Sequence, residues 1–201
     1  MGDPKFVRRR YETPKHPWEA ARMEEERKLL EKYGLKNKRE LWKAQSVLRG
    51  FRRQARDLQA RLRAGEPQAE RETGWLLDRL VRLGVLSAAA PTNDDVLALT
   101  TEDILRRRLE WIVFHRHLAP TPNGARQMIV HGHIAIGGRK ITRPGYLVRS
   151  QEEARIGYSG RSPIARDDHP IRVALREREA EQGDAPAVEP TPAPAGVGGG
   201  A

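Results

Sequence analysis

Leu41, Ala44, Leu48, Phe51, Ala55, Leu58 and Leu62 recur at alternating steps of three and four. That spacing keeps side chains on one face of an α-helix. Asn37 precedes the run and Glu40 follows three residues later, as in a capping box, so a helix starts at Asn37 and its apolar seam faces another helix. An earlier helix is predicted between Pro17, suited to a first turn, and Gly34, suited to the end. Glu24–Lys28 and Glu25–Lys28 would support it as side-chain pairs. Glu72 to Leu83 reads as a third amphipathic helix, with Trp75, Leu76, Leu80 and Leu83 apolar. Gly84 can take the left-handed cap, with Val85 or Leu86 folding back. Pro91 to Leu99 reads as a linker containing a short helical turn. Thr100 and Asp103 fit another capping box, and Leu105, Leu109, Ile112 and Val113 follow at core spacing.

After Ala119-Pro120 breaks the chain, Thr121 can cap a new helix with Pro122 at its first position. Ala125, Met128 and Ile129 are predicted to face inward, Arg126 and Gln127 outward, and Gly132 ends the helix. His133–Ile136 alternates as a strand, Gly137-Gly138 is a hairpin turn, and Arg139–Thr142 returns. Pro144-Gly145 turns again and Tyr146–Val148 forms a last short strand. The expected fold is α+β and mainly helical. A basic extended arm (1–16) precedes a helical domain (17–100) and a small αα-β module with a short antiparallel sheet (101–165). A C-terminal extension (166–180) leads into a disordered tail (181–201), where Pro186, Pro190, Pro192 and Pro194 precede a Gly-rich end.

The chain has 201 residues, and its 42 Leu, Ile, Val and Phe residues support only small cores. There is no Cys, which excludes disulfides, a thiolate nucleophile and a Cys-ligated zinc. The longest apolar runs, such as Trp111–Phe114, are too short to span a membrane. No apolar signal-peptide core follows Met1, and Pro4 and Phe6 do not fit a myristoylation pattern.

Charge changes the picture more. Net charge is +10 over residues 1–64, −3 over 65–100, +6 over 101–150, +1 over 151–176 and −4 beyond. Two separated cationic blocks fit a polyanion, because each neutralised phosphate releases condensed counterions. A membrane surface would require a basic helix with a large apolar face or a lipid anchor, and neither is evident. Arg outnumbers Lys 29 to 8; its planar fork bonds phosphate bidentately and stacks on bases.

The candidate RNA contacts follow these blocks. In the arm they are Lys5, Arg8, Arg9, Arg10, Tyr11 and Lys15, on a segment expected to order on nucleic acid. Lys36 and Lys38 follow. Arg49, Arg52, Arg56 and Arg63 form a stripe beside the apolar seam, with Arg53 alongside. In the module the candidates are Arg106, Arg107 and Arg108, expected exposed or half exposed, with Thr121, Arg126, Gln127, His131, His133, Arg139, Lys140, Arg143 and Tyr146. Free N–H groups at the helix start beside Arg126 would make an anion site, and the hairpin tip would carry Arg139 and Lys140. Such a surface reads backbone shape better than base sequence.

Ala125-Arg126-Gln127 through His131-Gly132-His133-Ile134, the Gly137-Gly138 turn and Pro144-x-Tyr146-Leu147-Val148 resemble the S-four RNA-binding domain. Asp103-Ile104-Leu105 and Arg107-Arg108-Leu109 resemble its first helix. Gly2-Asp3-Pro4-Lys5, Tyr11-Glu12-Thr13-Pro14, His16-Pro17-Trp18, Lys32–Lys38, Glu40-Leu41-Trp42 and Phe51-Arg52-Arg53-x-Ala55-Arg56 resemble the archaeal branch of the small-subunit ribosomal protein S-four family. Ile156-x-Tyr158 and Ser162-Pro163 extend the resemblance over roughly residues 2–170. It implies a cytoplasmic structural ribosomal protein that binds a multi-helix junction of small-subunit ribosomal RNA early in assembly. It also implies a place near the messenger entry path beside the S-five protein and other small-subunit proteins, with an influence on decoding accuracy. The Cys-ligated zinc of some bacterial members is not implied here, and no cofactor is.

Other readings are weaker. His131-x-His133 straddles a helix end and a strand start with no carboxylate close in sequence, so a metal site is not expected. No Gly-x-Ser-x-Gly or Gly-x-x-x-x-Gly-Lys run occurs, Asp94-Asp95 reads as a helix start, and no enzyme activity is expected. The main rival is a free-standing S-four-domain RNA binder or chaperone; an RNA-modifying enzyme ranks lower. The long cationic N-terminal block disfavours both.

Overall fold

The computed structural model describes residues 9–86 and 89–183, with side chains to Arg176. The described elements are α1 (Ala20–Tyr33), α2 (Lys38–Arg63), α3 (Pro67–Arg82), α4 (Asn93–Ala98), α5 (Thr101–Arg106), α6 (Leu109–His115), α7 (Pro122–Val130), β1 (Ile134–Ile136), β2 (Arg139–Lys140), α8 (Ser150–Glu153), β3 (Ile156–Tyr158) and α9 (Pro170–Gly183). The fold is α+β and mainly helical, with one small antiparallel sheet.

The seam of α2 builds the first core. Leu41, Ala44, Leu48, Phe51, Ala55 and Leu58 are all buried, packed with Tyr33 and Leu35 after α1, Leu76 and Leu80 of α3, Val96 of α4, and Ile104 and Leu105 of α5. Each fully buried Leu or Ile contributes about 1.5–3 kcal/mol by leaving water. α3 begins at Pro67, a turn earlier than the apolar pattern indicates, because Pro67 occupies the first turn where its missing N–H costs nothing. Residues 91–99 are more than a linker. Thr92 and Asp95 close a capping box, Val96 is fully buried, and the Asn93 amide donates to the Ala55 carbonyl at 3.0 Å. The intrahelical pairs of α1 are Arg22–Glu26 and Arg27–Glu31, not those centred on Lys28.

The second core joins Leu109, Ile112 and Val113 of α6, Ala125, Met128 and Ile129 of α7, Ile134 and Ile136 of β1, Val148, Ile156 and Ile164. Thr121 caps α7, accepting from the Gly124 N–H at 3.0 Å. The β1–β2 hairpin turns on Gly137 and Gly138, both with positive φ (55° and 81°), the backbone a two-residue hairpin turn demands.

Three predicted elements differ. The helix expected to run through Leu105 and Val113 is broken at Arg107-Arg108 into α5 and α6. The Leu109 N–H donates to the Tyr146 carbonyl at 2.8 Å, and the Val148 N–H to the Arg107 carbonyl at 2.9 Å. These pairings draw the backbone out of the helix. Consequently Tyr146–Val148 is no sheet strand; it makes a single bridge, Leu147 to Arg108. The third strand is β3, and the sheet order is β2-β1-β3, with Ile134 opposite Tyr158 and Ile136 opposite Ile156. β2 is also shorter than expected, ending at Lys140.

The two cores meet. Trp111 of α6 packs against the first core, its ring 4.6 Å from that of Tyr33. Gly34, at φ +65°, caps α1 so closely to α7 that an added Cβ would lie 2.6 Å from Pro122 Cβ. Gly34→Ala therefore combines left-handed strain, roughly 1–2 kcal/mol, with a clash at this junction. It should lower the urea midpoint, and an unchanged midpoint would contradict the packing described. α9 continues through Gly183, so 181–183 belong to a helix; the rest of the predicted tail lies outside the described residues.

Candidate nucleic-acid interface

The arginine stripe arises because α2 buries one face and leaves its flank to solvent. Arg53, Arg56 and Arg63 are exposed, and among the described residues they have no carboxylate or carbonyl partner. The other two stripe members are held. Arg49 pairs with Glu12, and the guanidinium of Arg52 donates to the Leu99 carbonyl, fastening α4 to α2.

Lys5 and Arg8 lie outside the described residues. The rest of the arm leans on α2. Arg9 stacks over the Tyr11 ring at 4.6 Å, that ring lies 6.1 Å from Trp42, and the Glu12 N–H donates to Ser46 Oγ at 3.2 Å. Arg10, Lys15 and Lys36 are exposed. Lys38 is half-buried and pairs with buried Glu26 at 3.0 Å. Burial pushes Glu26 up, but the Trp42 indole N–H and the cations Lys38 and Arg22 hold it below the usual carboxylate range.

In the module, three candidate arginines are taken up by partners within the chain: Arg107, half-exposed as expected, and Arg108 and Arg126, which turn inward. Arg107 donates to Glu153 at 2.8 Å and to the Val148 carbonyl at 3.0 Å. Arg108 is buried and bonds Glu40 at 2.7 Å and Glu110 at 3.3 Å. Arg126, expected to face out, reaches the same two carboxylates, Glu110 at 3.1 Å and Glu40. Glu40 belongs to α2 and Glu110 to α6, so these four charges tie the two cores together. The capping box read at Asn37 is correspondingly half formed. Asn37 Oδ1 accepts from the Glu40 N–H at 3.3 Å, while the Glu40 carboxylate serves the arginines. Burial pushes Glu110 above its ordinary value against the charges of Arg126 and Arg108. Burial acts the same way on Glu40, but the bond from Arg126 and the charge of Arg108 outweigh it and hold Glu40 low.

The signs set a pH dependence. Glu26 and Glu40 have lowered folded values, so their stabilisation is complete above the unfolded carboxylate value of about 4.3 and is lost as pH falls through the folded values. Glu110, raised, works in the opposite sense: its contribution is complete at acid pH and is lost as pH rises through its folded value. Glu72, Asp95 and Glu102, bonded to Arg61, Thr92 and Lys32, are lowered as well, so the urea midpoint should fall as pH drops below about 4.3, and Glu40→Gln should make that acid fall shallower. An identical acid fall in Glu40→Gln would exclude Glu40 as a contributor.

Other module candidates form an outward surface. Arg106 is exposed, leaning toward Glu102 and Asp103 at 3.8 and 3.9 Å. Arg139, Lys140 and Arg143 are exposed, as are Thr121, Gln127 and His131. His133 is half-buried, its Nδ1 2.8 Å from Ser162 Oγ, and the His131 and His133 rings stack 6.3 Å apart. Tyr146 is half-buried, and its hydroxyl donates to Glu152 at 3.0 Å. His131, His133, Gly138 and Lys140 line an open cleft of about 570 Å³ with Ser159, Arg161 and Pro163. Arg161 has no place among the sequence-based candidates. It reaches the cleft because β3 pairs with β1, and a three-residue strand centred on Gly157 leaves almost no periodic signal. The helix start at α7 has lost the arginine that would have completed an anion site, since Arg126 turns to Glu40 and Glu110.

Residues 107–153 match the model of the S4 domain, starting at the break between α5 and α6. The whole chain is similar to small ribosomal subunit protein uS4 of Thermoplasma acidophilum, 48% identical over 94% of this chain and 97% of that protein. The same protein of Thermoplasma volcanium is 53% identical over 87% of each chain. That of Methanococcus aeolicus is 50% identical over 86% of this chain and 96% of that protein. Relatives of this name form a family of structural ribosomal proteins, not enzymes. At identities near one half over 87–94% of its length, the chain belongs to the small ribosomal subunit protein uS4 family.

Proposed function

We propose that the chain is a structural component of the cytoplasmic small ribosomal subunit and holds ribosomal RNA between two cationic surfaces. One surface is the flank of α2 with Arg53, Arg56 and Arg63. The other is the β1–β2 hairpin with Arg139, Lys140 and Arg143, where Lys140 and Arg161 line the cleft beside it. The observation that carries this reading is the separation of cations into two sets. Those at the junction of the cores are consumed by Glu40, Glu110 and Glu153, whereas those on the two outer surfaces face solvent without carboxylate partners among the described residues. A rigid body with two cationic faces suits RNA where several helices meet, because phosphate contacts then report the shape of the junction. Early binding that nucleates assembly, a place beside the S-five protein and the messenger entry path, and an influence on decoding accuracy complete the proposal. The tagged chain should co-migrate with small subunits on sedimentation of extract at moderate salt. Recovery only in the free-protein fractions would contradict it.

A further inference from the structure

α3 carries a surface that the two-faced reading does not use. Leu76 and Leu80 point into the first core, but Trp75 leaves 63% of its area in solvent. An amphipathic reading of the sequence puts this indole on the apolar side, yet one residue before Leu76 is about 100° around the helix, at the flank. Arg71, Arg79 and Arg82 stand one turn before, one turn after and two turns after Trp75, and all are exposed. Among the described residues none of the three pairs with a carboxylate. Arg82 donates to the Asp78 backbone carbonyl at 3.3 Å, and Arg79 lies over the Phe51 ring at 5.6 Å. The contacts of Arg79 with Phe51 and of Glu72 with Arg61 place this flank on one side of α2. Arg52 and Ala55, bonded to α4 through Leu99 and Asn93, mark the other. The surface is thus distinct from the Arg53–Arg63 flank.

We propose that Trp75 is a stacking platform for an unpaired base of RNA, with Arg71, Arg79 and Arg82 meeting the phosphates on either side. The proposal rests on the reading of the chain as an RNA binder. Charge selects the occupant. Three guanidiniums without a carboxylate partner among the described residues stand around one largely exposed indole, with Asp78 among them and Glu72 already bonded to Arg61, the combination that holds single-stranded nucleic acid by π-stacking plus electrostatics.

The full chain is titrated with a small-subunit ribosomal RNA transcript. Stacking worth ~1–3 kcal/mol per base corresponds to a loss of about 5- to 150-fold in Trp75→Ala, with Trp75→Phe retaining most of the affinity. The unfolding midpoint should stay unchanged, since the indole is exposed, and ultraviolet irradiation should crosslink Trp75 to a nucleotide. Unchanged affinity in Trp75→Ala overturns the proposal. So does a Trp75 crosslink to another ribosomal protein in assembled subunits, or self-association that disappears in Trp75→Ala. The variant Arg53→Gln/Arg56→Gln/Arg63→Gln is titrated in parallel. If it weakens binding while Trp75→Ala does not, only the α3 platform fails; if neither weakens it, the RNA-binding reading itself fails.

Discussion

Replacing Glu40 with Ala should lower the thermal unfolding midpoint by roughly 6–12 °C. The carboxylate sits between Arg108 and Arg126, and Glu110 alone cannot neutralise both. Removing one member of a buried ion pair costs about 3 kcal/mol or more, because its partner stays desolvated without compensation. In a domain of 150–250 residues each kcal/mol moves the midpoint by about 2–4 °C. The double variant Glu40→Met/Arg126→Met should recover much of the loss. It removes one charge of each sign and leaves Arg108 facing Glu110, and apolar side chains can replace a buried pair almost without cost. Calorimetry on the three proteins decides. A double variant as unstable as Glu40→Ala alone would mean that lost packing, not an uncompensated charge, sets the effect. Because Glu40 belongs to α2 and Arg126 to α7, Glu40→Ala should also loosen the two cationic surfaces relative to each other.

The second large effect is on RNA. Arg53→Gln/Arg56→Gln/Arg63→Gln should flatten the dependence of log affinity on log salt by about two to three units, close to one unit per lost phosphate contact. At low salt the affinity itself should fall by two orders of magnitude or more. The midpoint should barely move, since these side chains have no carboxylate or carbonyl partner among the described residues. Arg52→Gln offers the contrast. Its bond to the Leu99 carbonyl makes it a fastener of α4, so stability should fall while the salt slope changes little. If Arg52→Gln and the triple variant alter the slope alike, the division of this stripe into holding and binding members is wrong.

That division marks where sequence reasoning stops. The α2 seam from Leu41 to Leu58, the Gly34 and Gly84 caps and the Thr121-Pro122 helix start are local patterns, and each is found where the residues place it, whereas Leu62, the last position of the predicted seam, is half-exposed at the end of α2 and outside the core. Arg106-Arg107-Arg108 shows the opposite case. Three adjacent arginines look alike in sequence, yet one is exposed, one pairs with Glu153 and one is buried against Glu40. Their partners are 46 and 68 residues away, a separation no helical period encodes. Arg126 turns inward for the same reason, toward a carboxylate 86 residues distant. β3 escapes notice because three residues around a glycine carry too little alternation, and its pairing with β1 is a tertiary choice. Trp75 misleads in the other direction, since an aromatic within an apolar run reads as core until the helix phase places it at the edge.

The central claim is that two separate cationic surfaces grip one folded RNA. Hydroxyl-radical footprinting of small-subunit ribosomal RNA with the full chain tests it most directly. The account predicts two protected patches, one lost in Arg53→Gln/Arg56→Gln/Arg63→Gln and the other in Arg139→Gln/Lys140→Gln/Arg143→Gln. A single patch erased by either variant, or protection indifferent to both, would contradict it.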